Sequence, residues 1–277
     1  MIEKKDIHSN QYHNNRIDKH SIILEPHKSL LPFIANYTFT CPCAIPEWQV
    51  VLPTASSTLV CGIGRNDIIN RLRGVNTKPT TIGHYARQFD FMFLVEFQPA
   101  GLYPFLKIDQ NHLADNSFLF DELGKSLNRQ ITEAYYTSDD IFMLTLKLDS
   151  IFMSRLDAVN YNATFDFAMK KVLASKGNIR MRELSGEVYY SEKQLNRLFQ
   201  KYIGANGKTF ARIVRMKNAL DMMSAFIDTD SVIEQTGHYD YAHFIHDFKG
   251  IYGITPKEYT DKMSLFYNDQ TKLLSYN

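Results

Sequence analysis

The sequence has almost no imbalance of charge. Its 31 Lys and Arg residues face 30 Asp and Glu residues, so the 277-residue chain has a formal net charge of +1 at pH 7. This balance excludes a strongly basic tail for nucleic acid, although a local basic face is compatible with it. Residues 164–264 contain 15 Lys and Arg against 12 Asp and Glu, a mild excess that favours DNA as a partner of this part.

Long hydrophobic runs are also missing. The most apolar strand-like run, Phe91 to Phe97, is far too short to span a bilayer. The N-terminus does not have the charged-then-apolar pattern of a signal segment. We therefore expect a cytoplasmic protein with no membrane partner.

Cysteine is scarce, and Cys41, Cys43 and Cys61 do not have a repeated CxxC spacing. An odd number of cysteines without that spacing argues against a disulfide framework and favours reduced structural thiols. As an alternative, Cys41 and Cys43 could share one face of a strand and sense a soft metal or an oxidant.

The usual sequence patterns of enzymes are absent. The chain has no nucleophile motif, paired-carboxylate signature or phosphate loop, and we interpret Gly62-Ile63-Gly64 as a hairpin turn. His84, Glu96 and His112 do not have the spacing of metal ligands. We expect no catalytic residues, metal or cofactor. Two alternatives remain: an enzyme acting on a small molecule through its N-terminal half, and a pure interaction protein.

The length and the 44% hydrophobic content are sufficient for two domains with sizeable cores. We place a polar arm at residues 1–21, a β-rich sensor or oligomerisation domain ending in helices at 22–155, and a linker at 156–163. An all-α domain at 164–264 and a tail at 265–277 follow. The predicted fold class is α+β.

Strand signals dominate the first half of the chain. The run from Gln88 to Phe97 alternates with period two, which is typical of a strand with one buried face. The aromatic face consists of Phe89, Phe91, Phe93, Val95 and Phe97. We predict a β-sandwich or barrel whose aromatic face forms a packed core, with a ligand cavity on that face as the less common alternative.

Two helices should follow the strands. The second is expected to start at Ser138 as its cap, and its apolar residues have near-heptad spacing. These residues are Ile141, Leu144, Leu148, Ile151 and Phe152, and Met143 and Leu146 widen the apolar surface. An intrachain core is the ordinary explanation, and a homodimer contact is the alternative.

The second half repeats one arrangement: a short helix, a tight turn and a capped amphipathic helix, which is typical of a helix-turn-helix unit. In the first unit Ser191 and Gln194 predict a capping box, with Tyr190 and Leu195 as a hydrophobic staple. In the second, Ser231 to Tyr259, Asp240 is the predicted cap, and Tyr239 with Phe244 the staple.

A predicted amphipathic helix from Lys208 to Ala225 connects the two units. Its length of roughly 27 Å is close to one DNA turn of about 34 Å. A single chain could therefore place two reading helices in successive major grooves.

Residues 164–264 resemble the AraC/XylS family of bacterial transcription regulators. The resemblance rests on Leu184, Ser191, Leu195 to Phe199, Gly204, Arg215, Ala219-Leu220, Gly237, Asp240, His243-Phe244, Phe248-Lys249, Gly253, Thr255-Pro256 and Tyr259. Leu52-Pro53 and Val95 to Gly101 resemble, more loosely, the mainly β sensor-type domain of some such regulators.

The resemblance implies a transcription regulator that binds double-stranded promoter DNA. It also implies RNA polymerase, a small-molecule effector and a second copy of the chain as candidate partners. The effector-binding residues are unknown, and whether the protein activates or represses stays open.

Five positions depart from the family pattern. Ser185 and Ile233 stand where a small Ala is usual, which could alter the packing of each first helix. Asn206-Gly207 replaces a common Ser-Pro and should define the start of the connecting helix less sharply. His246 stands where Arg is frequent, and a neutral imidazole there would lose a bidentate contact and make binding weaker or more dependent on pH.

The candidate DNA-binding residues are the outward-facing ones of the two reading helices: Lys193, Asn196, Arg197, Gln200, Lys201, Tyr241, Ala242, Ile245, His246 and Lys249. Arg197 can pair with guanine and Asn196 with adenine, and the three lysines suit phosphates. The other residues of the second helix would meet base edges or thymine methyl groups. Since Asp240 and Asp247 add negative charge near this helix, we expect the first reading helix to carry most of the specificity.

Overall fold

The N-terminal half is built on one antiparallel sheet. The computed structural model describes residues 16–18, 21–42, 45, 47, 49–65, 67–156, 161–225 and 227–262. Within these residues the strands are β1 (Arg16–Asp18), β2 (Ser21–Leu24), β3 (Ile34–Thr40), β4 (Val50–Val51), β5 (Thr58–Ile63), β6 (Ile68–Arg73), β7 (Thr80–Thr81), β8 (Phe91–Phe97) and β9 (Ser117–Leu119). Seven of them pair in the order β1-β2-β3-β8-β5-β6-β9, and β4 pairs with β7. The predicted α+β class is confirmed. Within the described residues the sheet does not close into a barrel, so the β-rich domain has an open sheet.

The N-terminal arm was predicted for residues 1–21, most of which lie outside the described residues. Arg16–Asp18 is a strand that pairs with β2, so part of the predicted arm belongs to the sheet. Between β5 and β6 the chain turns back at Gly64, whose N–H donates to the carbonyl of Asp67 at 2.9 Å. The predicted hairpin at Gly62 to Gly64 therefore exists, with its turn just after β5.

Helices cover the aromatic face of the sheet. In this half α1 (Gly83–Ala86) lies on the opposite face, where Ala86 packs with Val60, whereas α2 (Tyr103–Leu106), α3 (Phe120–Tyr136) and α4 (Ile141–Met153) cover the aromatic face. Phe91, Phe93, Val95 and Phe97 lie in the main core, where the ring of Phe93 is 6.1 Å from that of Tyr135. The prediction of a packed core is therefore confirmed for β8. Phe89 precedes the strand and packs in a separate small cluster with Val60 and Ala86.

The opposite face of the sheet borders a cavity of about 520 Å³. Its walls combine apolar side chains such as Val60 and Leu94 with the polar groups of Arg71, Arg73 and Glu96. The idea of a cavity on the aromatic face is thus wrong. Because the helices fill that side, the open space lies across the sheet, between the alternate residues of the same strands and the β4–β7 pair.

The thiols of Cys41 and Cys61 are buried. Burial raises the pKa of the Cys61 thiol well above its ordinary value, which keeps this thiol protonated. Cys43 lies outside the described residues. Among the residues that the structure describes, no group of three His, Cys, Asp or Glu could hold a metal ion.

Helix α4 begins later than predicted. Asp140, and not Ser138, caps it, because the carboxylate of Asp140 accepts the N–H of Met143 at 2.8 Å. The hydroxyl of Ser138 instead donates to the carbonyl of Ala134 at the end of α3. The inward stripe is buried as expected: Ile141, Leu144, Leu148 and Phe152. The outward residues Phe142, Met143, Leu146 and Met153 are exposed.

The second half is helical throughout its described residues. Its elements are α5 (Ala163–Ala174), α6 (Met181–Glu187), α7 (Glu192–Ile203), α8 (Gly207–Ser224), α9 (Thr229–Gln235), α10 (Tyr241–Tyr252) and α11 (Pro256–Lys262). Asn162 caps α5 through its side chain, at the end of the predicted linker, of which residues 157–160 lie outside the described part. None of the described helices is long and apolar enough to cross a membrane.

The two halves share a hydrophobic cluster. Leu52, Ala55, Val75 and Ala100 of the N-terminal half pack with the buried residues of α5, α7 and α8. Gly204, which ends α7 at φ 93°, lies against Gln110 so closely that a Cβ there would be 2.8 Å from the Gln110 carbonyl oxygen. A side chain at position 204 would therefore clash with the N-terminal half.

Candidate nucleic-acid interface

Helices α6 and α7 form the first helix-turn-helix unit. The hydroxyl oxygen of Ser191 accepts the N–H of Gln194 at 3.3 Å, and the side chain of Gln194 accepts the N–H of Ser191 at 2.9 Å. This is the predicted capping box, and it gives α7 a defined start. Leu195, Phe199 and Tyr202 are buried against α5, so the other face of α7 is free for a partner.

The candidate residues of α7 have different surroundings. Lys193, Arg197 and Gln200 are exposed. Asn196 is half-buried, and its side-chain oxygen accepts the N–H of Gly207 at 3.0 Å. This bond holds the start of α8 to α7, so a bidentate contact with adenine requires the oxygen of Asn196 to accept a second hydrogen bond.

Lys201 faces the N-terminal half. Its ammonium group lies 5.2 Å from the ring centre of Tyr202 and 5.8 Å from that of Tyr103. The electrostatic interaction with Tyr202, and to a smaller extent that with Tyr103, raises the pKa of Lys201 above its ordinary value. The sequence did not indicate these cation–π contacts, because Tyr103 is about a hundred residues away in the chain.

The connecting helix α8 starts where its sequence departs from the family pattern. Asn206 accepts the N–H of Thr209 at 2.9 Å, and it therefore caps the helix without proline. Gly207 fits because a Cβ there would lie 2.4 Å from the sulfur of Met181. The expected loss of definition at this start is thus corrected by a side-chain cap. At another departure, the buried Ser185 donates its hydroxyl to the carbonyl of Arg182.

Helices α9 and α10 form the second unit. Asp240 caps α10 as predicted, since its carboxylate accepts the N–H of His243 at 2.7 Å. The inward face of α10 is buried and consists of Phe244, Phe248, Ile251 and Tyr252. The candidate residues Tyr241, Ala242, His246 and Lys249 are exposed, and Ile245 is half-buried.

A polar network that the sequence did not predict holds α10 on α8. Asp247 is 8% exposed, and its carboxylate accepts the Nε–H of Arg212 at 3.0 Å and an N–H of Arg215 at 3.3 Å. The imidazole Nε2 of His238 lies 3.3 Å from the same carboxylate, and its Nδ1 lies 2.8 Å from the hydroxyl of Thr236.

The expectation that Asp247 adds negative charge beside the reading face is wrong. Burial raises the pKa of this carboxyl. Hydrogen bonds from His238 and Arg212, together with the charges of Arg212 and Arg215, lower the pKa by a larger amount. The net pKa lies well below the usual range, so the carboxylate stays charged and is balanced by the two guanidinium groups. Asp247 therefore faces the core of the domain.

The predicted staple between Tyr239 and Phe244 is also not formed. Tyr239 is 92% exposed, whereas the ring of His238 lies 5.4 Å from that of Phe244. The imidazole occupies the place that the tyrosine was expected to fill. Thr236, His238 and Asp247 span a turn and a helix without a regular period, so no sequence signal could have found this arrangement.

Comparison with known proteins agrees with this geometry. Residues 184–262 match a family model described as "Helix-turn-helix domain", and residues 23–118 match one described as "Domain of unknown function (DUF6597)". No curated protein matches the chain. An AraC-type helix-turn-helix domain therefore stands at the C-terminal end, after a domain of unknown function.

Solved structures of ToxT from Vibrio cholerae are also similar. One, in a P21 crystal form, is 12% identical with a TM-score of 0.44, over 80% of this chain and 96% of that chain. An apo variant of ToxT is 11% identical with a TM-score of 0.45, over 87% of this chain and all of that chain. The helix-turn-helix domain supports a role for this chain as a DNA-binding transcription regulator.

Proposed function

We propose that the protein binds specific DNA sequences by inserting α7 and α10 into successive major grooves. The observation that carries this proposal is the pair of capped helices, each with a buried inner face and an exposed outer face. Helix α8 joins them and has 18 residues, or roughly 27 Å, which is near the groove repeat of about 34 Å.

Direct base recognition is assigned mainly to α7. Arg197 is exposed and its guanidinium can pair bidentately with guanine. Asn196 contributes through its amide NH₂ group, and Gln200 offers both amide groups to base edges. In α10, His246 and Tyr241 provide fewer strong hydrogen bonds, so this helix chiefly positions the domain one turn away.

Phosphate contacts are assigned to the exposed lysines. Lys193 lies in the first turn of α7 and Lys249 in the last turn of α10, where each can reach the backbone beside its groove. Lys201 takes this role only when it leaves the rings of Tyr103 and Tyr202.

Modulation through the N-terminal half is the second part of the proposal. Leu52, Thr54 and Ser56 line the 520 Å³ cavity, while Leu52 and Ala55 also belong to the cluster that contains α7 and α8. Residues 74–76 also contact both regions: Gly74 and Asn76 line the cavity, and Val75 packs with the DNA-binding domain. A small effector in the cavity would therefore contact residues 52–56 and 74–76, which also pack against the helices of the DNA-binding domain.

The deciding experiment is the capture and sequencing of genomic DNA fragments by the purified protein. The proposal expects enrichment of sites with two half-sites about one turn apart, and loss of this enrichment with Arg197→Ala. An enzyme or a protein-binding module would retain no defined set of fragments.

A further inference from the structure

Two tyrosines stand almost fully exposed in the turns of the helix-turn-helix units. Tyr189 is 96% and Tyr239 is 92% exposed, whereas Phe142, the next most exposed large apolar residue described, reaches 54%. Aromatic rings usually bury most of their surface, because their burial is a large favourable contribution to folding. The fold thus gains little from either ring.

The backbone conformation of Tyr189 is a further cost to the fold. Its φ is 55°, in the left-handed region that is unfavourable for a bulky residue. The same turn in the second unit has Gly237 at φ 69°. The hydrogen bonds match: Tyr189 and Tyr190 donate to Gly186 and Ser185 in the first unit, as Gly237 and His238 donate to Glu234 and Ile233 in the second. Glycine would therefore serve the fold better at position 189.

Tyr239 is exposed for a different reason. The ring of His238 packs on Phe244, and its Nε2 lies beside Asp247. His238 therefore occupies the buried space next to Phe244, and none is left for the ring of Tyr239. Asp240 follows at once as the cap of α10. Tyr239 is thus held between two fixed residues while its ring lies in solvent.

Both tyrosines lie at the end of the unit that approaches DNA. In helix-turn-helix proteins the first helix crosses the DNA backbone and the N-terminal residues of the second reach the base edges. The turn between them is therefore beside the sugar-phosphate backbone. Tyrosine hydroxyl groups are among the side-chain groups that donate to phosphate oxygens.

We infer that Tyr189 and Tyr239 are DNA-contacting residues, each packing its ring on a deoxyribose and donating its hydroxyl to a phosphate next to one reading helix. This inference rests on the proposed function. It adds one backbone contact at each groove, before the N-terminal end of each reading helix, whereas Lys201 and Lys249 lie in the last turn.

The sharpest test is Tyr189→Gly. Glycine removes the strained φ, so the midpoint of thermal unfolding should rise by about 2 to 4 °C, which corresponds to about 1 kcal/mol in a chain of this size. Affinity for DNA should fall roughly tenfold on all sequences alike, because a backbone contact does not depend on the base. A tyrosine retained only for stability would give a lower midpoint and unchanged affinity, which would overturn the inference.

Tyr239→Ala and Tyr239→Phe complete the series. Alanine should reduce affinity by a similar factor, and phenylalanine should lose only the part that the hydroxyl contributes. The matched control is Tyr136→Ala, which removes an exposed tyrosine at the end of α3 in the N-terminal half and should not change affinity.

Failure of the tyrosine contacts and failure of the proposed function give different results. If the wild-type protein binds its captured sites and neither Tyr189→Gly nor Tyr239→Ala weakens binding, the tyrosine contacts are refuted and the regulator is not. A loss confined to one base position would also refute a backbone contact. If the wild-type protein enriches no fragments, the proposed function itself fails.

Discussion

At the scale of the residue, Arg197 is the most specific candidate reader. It is exposed on α7. We expect Arg197→Ala to lose about 1 to 3 kcal/mol at one base position and to relax the preference there. Gel shifts on a set of single-base variants measure both effects. Arg129→Ala, which removes an exposed arginine from α3, is the matched control; unchanged base preference in Arg197→Ala would contradict the assignment.

Lys249, in contrast to Arg197, should contribute to affinity without contributing to base preference. It lies exposed in the last turn of α10, and its ammonium is a point charge suited to phosphate. Lys249→Ala should weaken binding to every sequence alike and reduce the slope of log affinity against log salt by about one. Titrations at several salt concentrations test this, and a loss that depends on sequence would exclude the phosphate role.

At the scale of the element, the contact of α10 with α8 depends on one buried carboxylate. Asp247→Asn leaves Arg212 and Arg215 without a charged partner and should cost roughly 2 kcal/mol of unfolding free energy at neutral pH. Because the folded-state pKa of Asp247 is depressed, its stabilisation is complete above the unfolded pKa of about 3.9 and is lost as pH falls below it.

The difference in unfolding free energy between the wild type and Asp247→Asn should therefore be constant near pH 7 and shrink in acid. Denaturant titrations at a series of pH values measure it. Asp166→Asn provides the control, since Asp166 makes an exposed ion pair with Lys170. A difference that does not change with pH would contradict the charged role of Asp247.

The elements themselves were largely predictable, because caps and helical periods are local. The capping box at Ser191, the cap at Asp240 and the buried stripes needed only neighbouring residues. The cap of α4 was wrongly placed at Ser138, because the bond of its hydroxyl to Ala134 at the end of α3 is not visible in the sequence. Asp247 was misassigned because its burial depends on how α10 meets α8, and Tyr239 because His238 packs on Phe244 in its place. The candidate DNA contacts themselves stay predictions.

At the scale of the whole molecule, the exposed apolar side of α4 predicts a homodimer. Phe142, Leu146 and Met153 recur at helical spacing on the outer face of α4, beside Met143. We expect a mass of twice 32.1 kDa by light scattering at micromolar concentration. Phe142→Ser with Leu146→Ser should give the monomer, and a wild-type protein that is strictly monomeric would rule out the dimer.

The cavity and the reading helices should respond together. Val60→Trp adds an indole to the cavity wall, on the face of the sheet opposite the main core. Small molecules that raise the unfolding midpoint of the wild type should change its DNA affinity, and Val60→Trp should abolish both effects. Screening by thermal unfolding followed by gel shifts tests this; a ligand that stabilises the protein without changing its DNA affinity would argue against the shared walls.

The sequence distinguished the two faces of β8 and predicted the packed core on the aromatic one, but it did not show where a cavity would lie. That outcome depends on α3 and α4, which arrive more than twenty residues later in the chain and fill the aromatic side. The cavity therefore could not be located from alternation alone.

The bonds of Asp247 have a consequence for protein engineering. A reading helix is attractive as a cassette that could be exchanged to redirect a regulator to a new promoter. Here α10 cannot be exchanged alone, because a donor helix with an apolar residue at position 247 would strand Arg212, Arg215 and His238. A working graft of α10 has to bring compatible residues at all three positions, and a graft of α7 has to keep Asn196, which holds the start of α8.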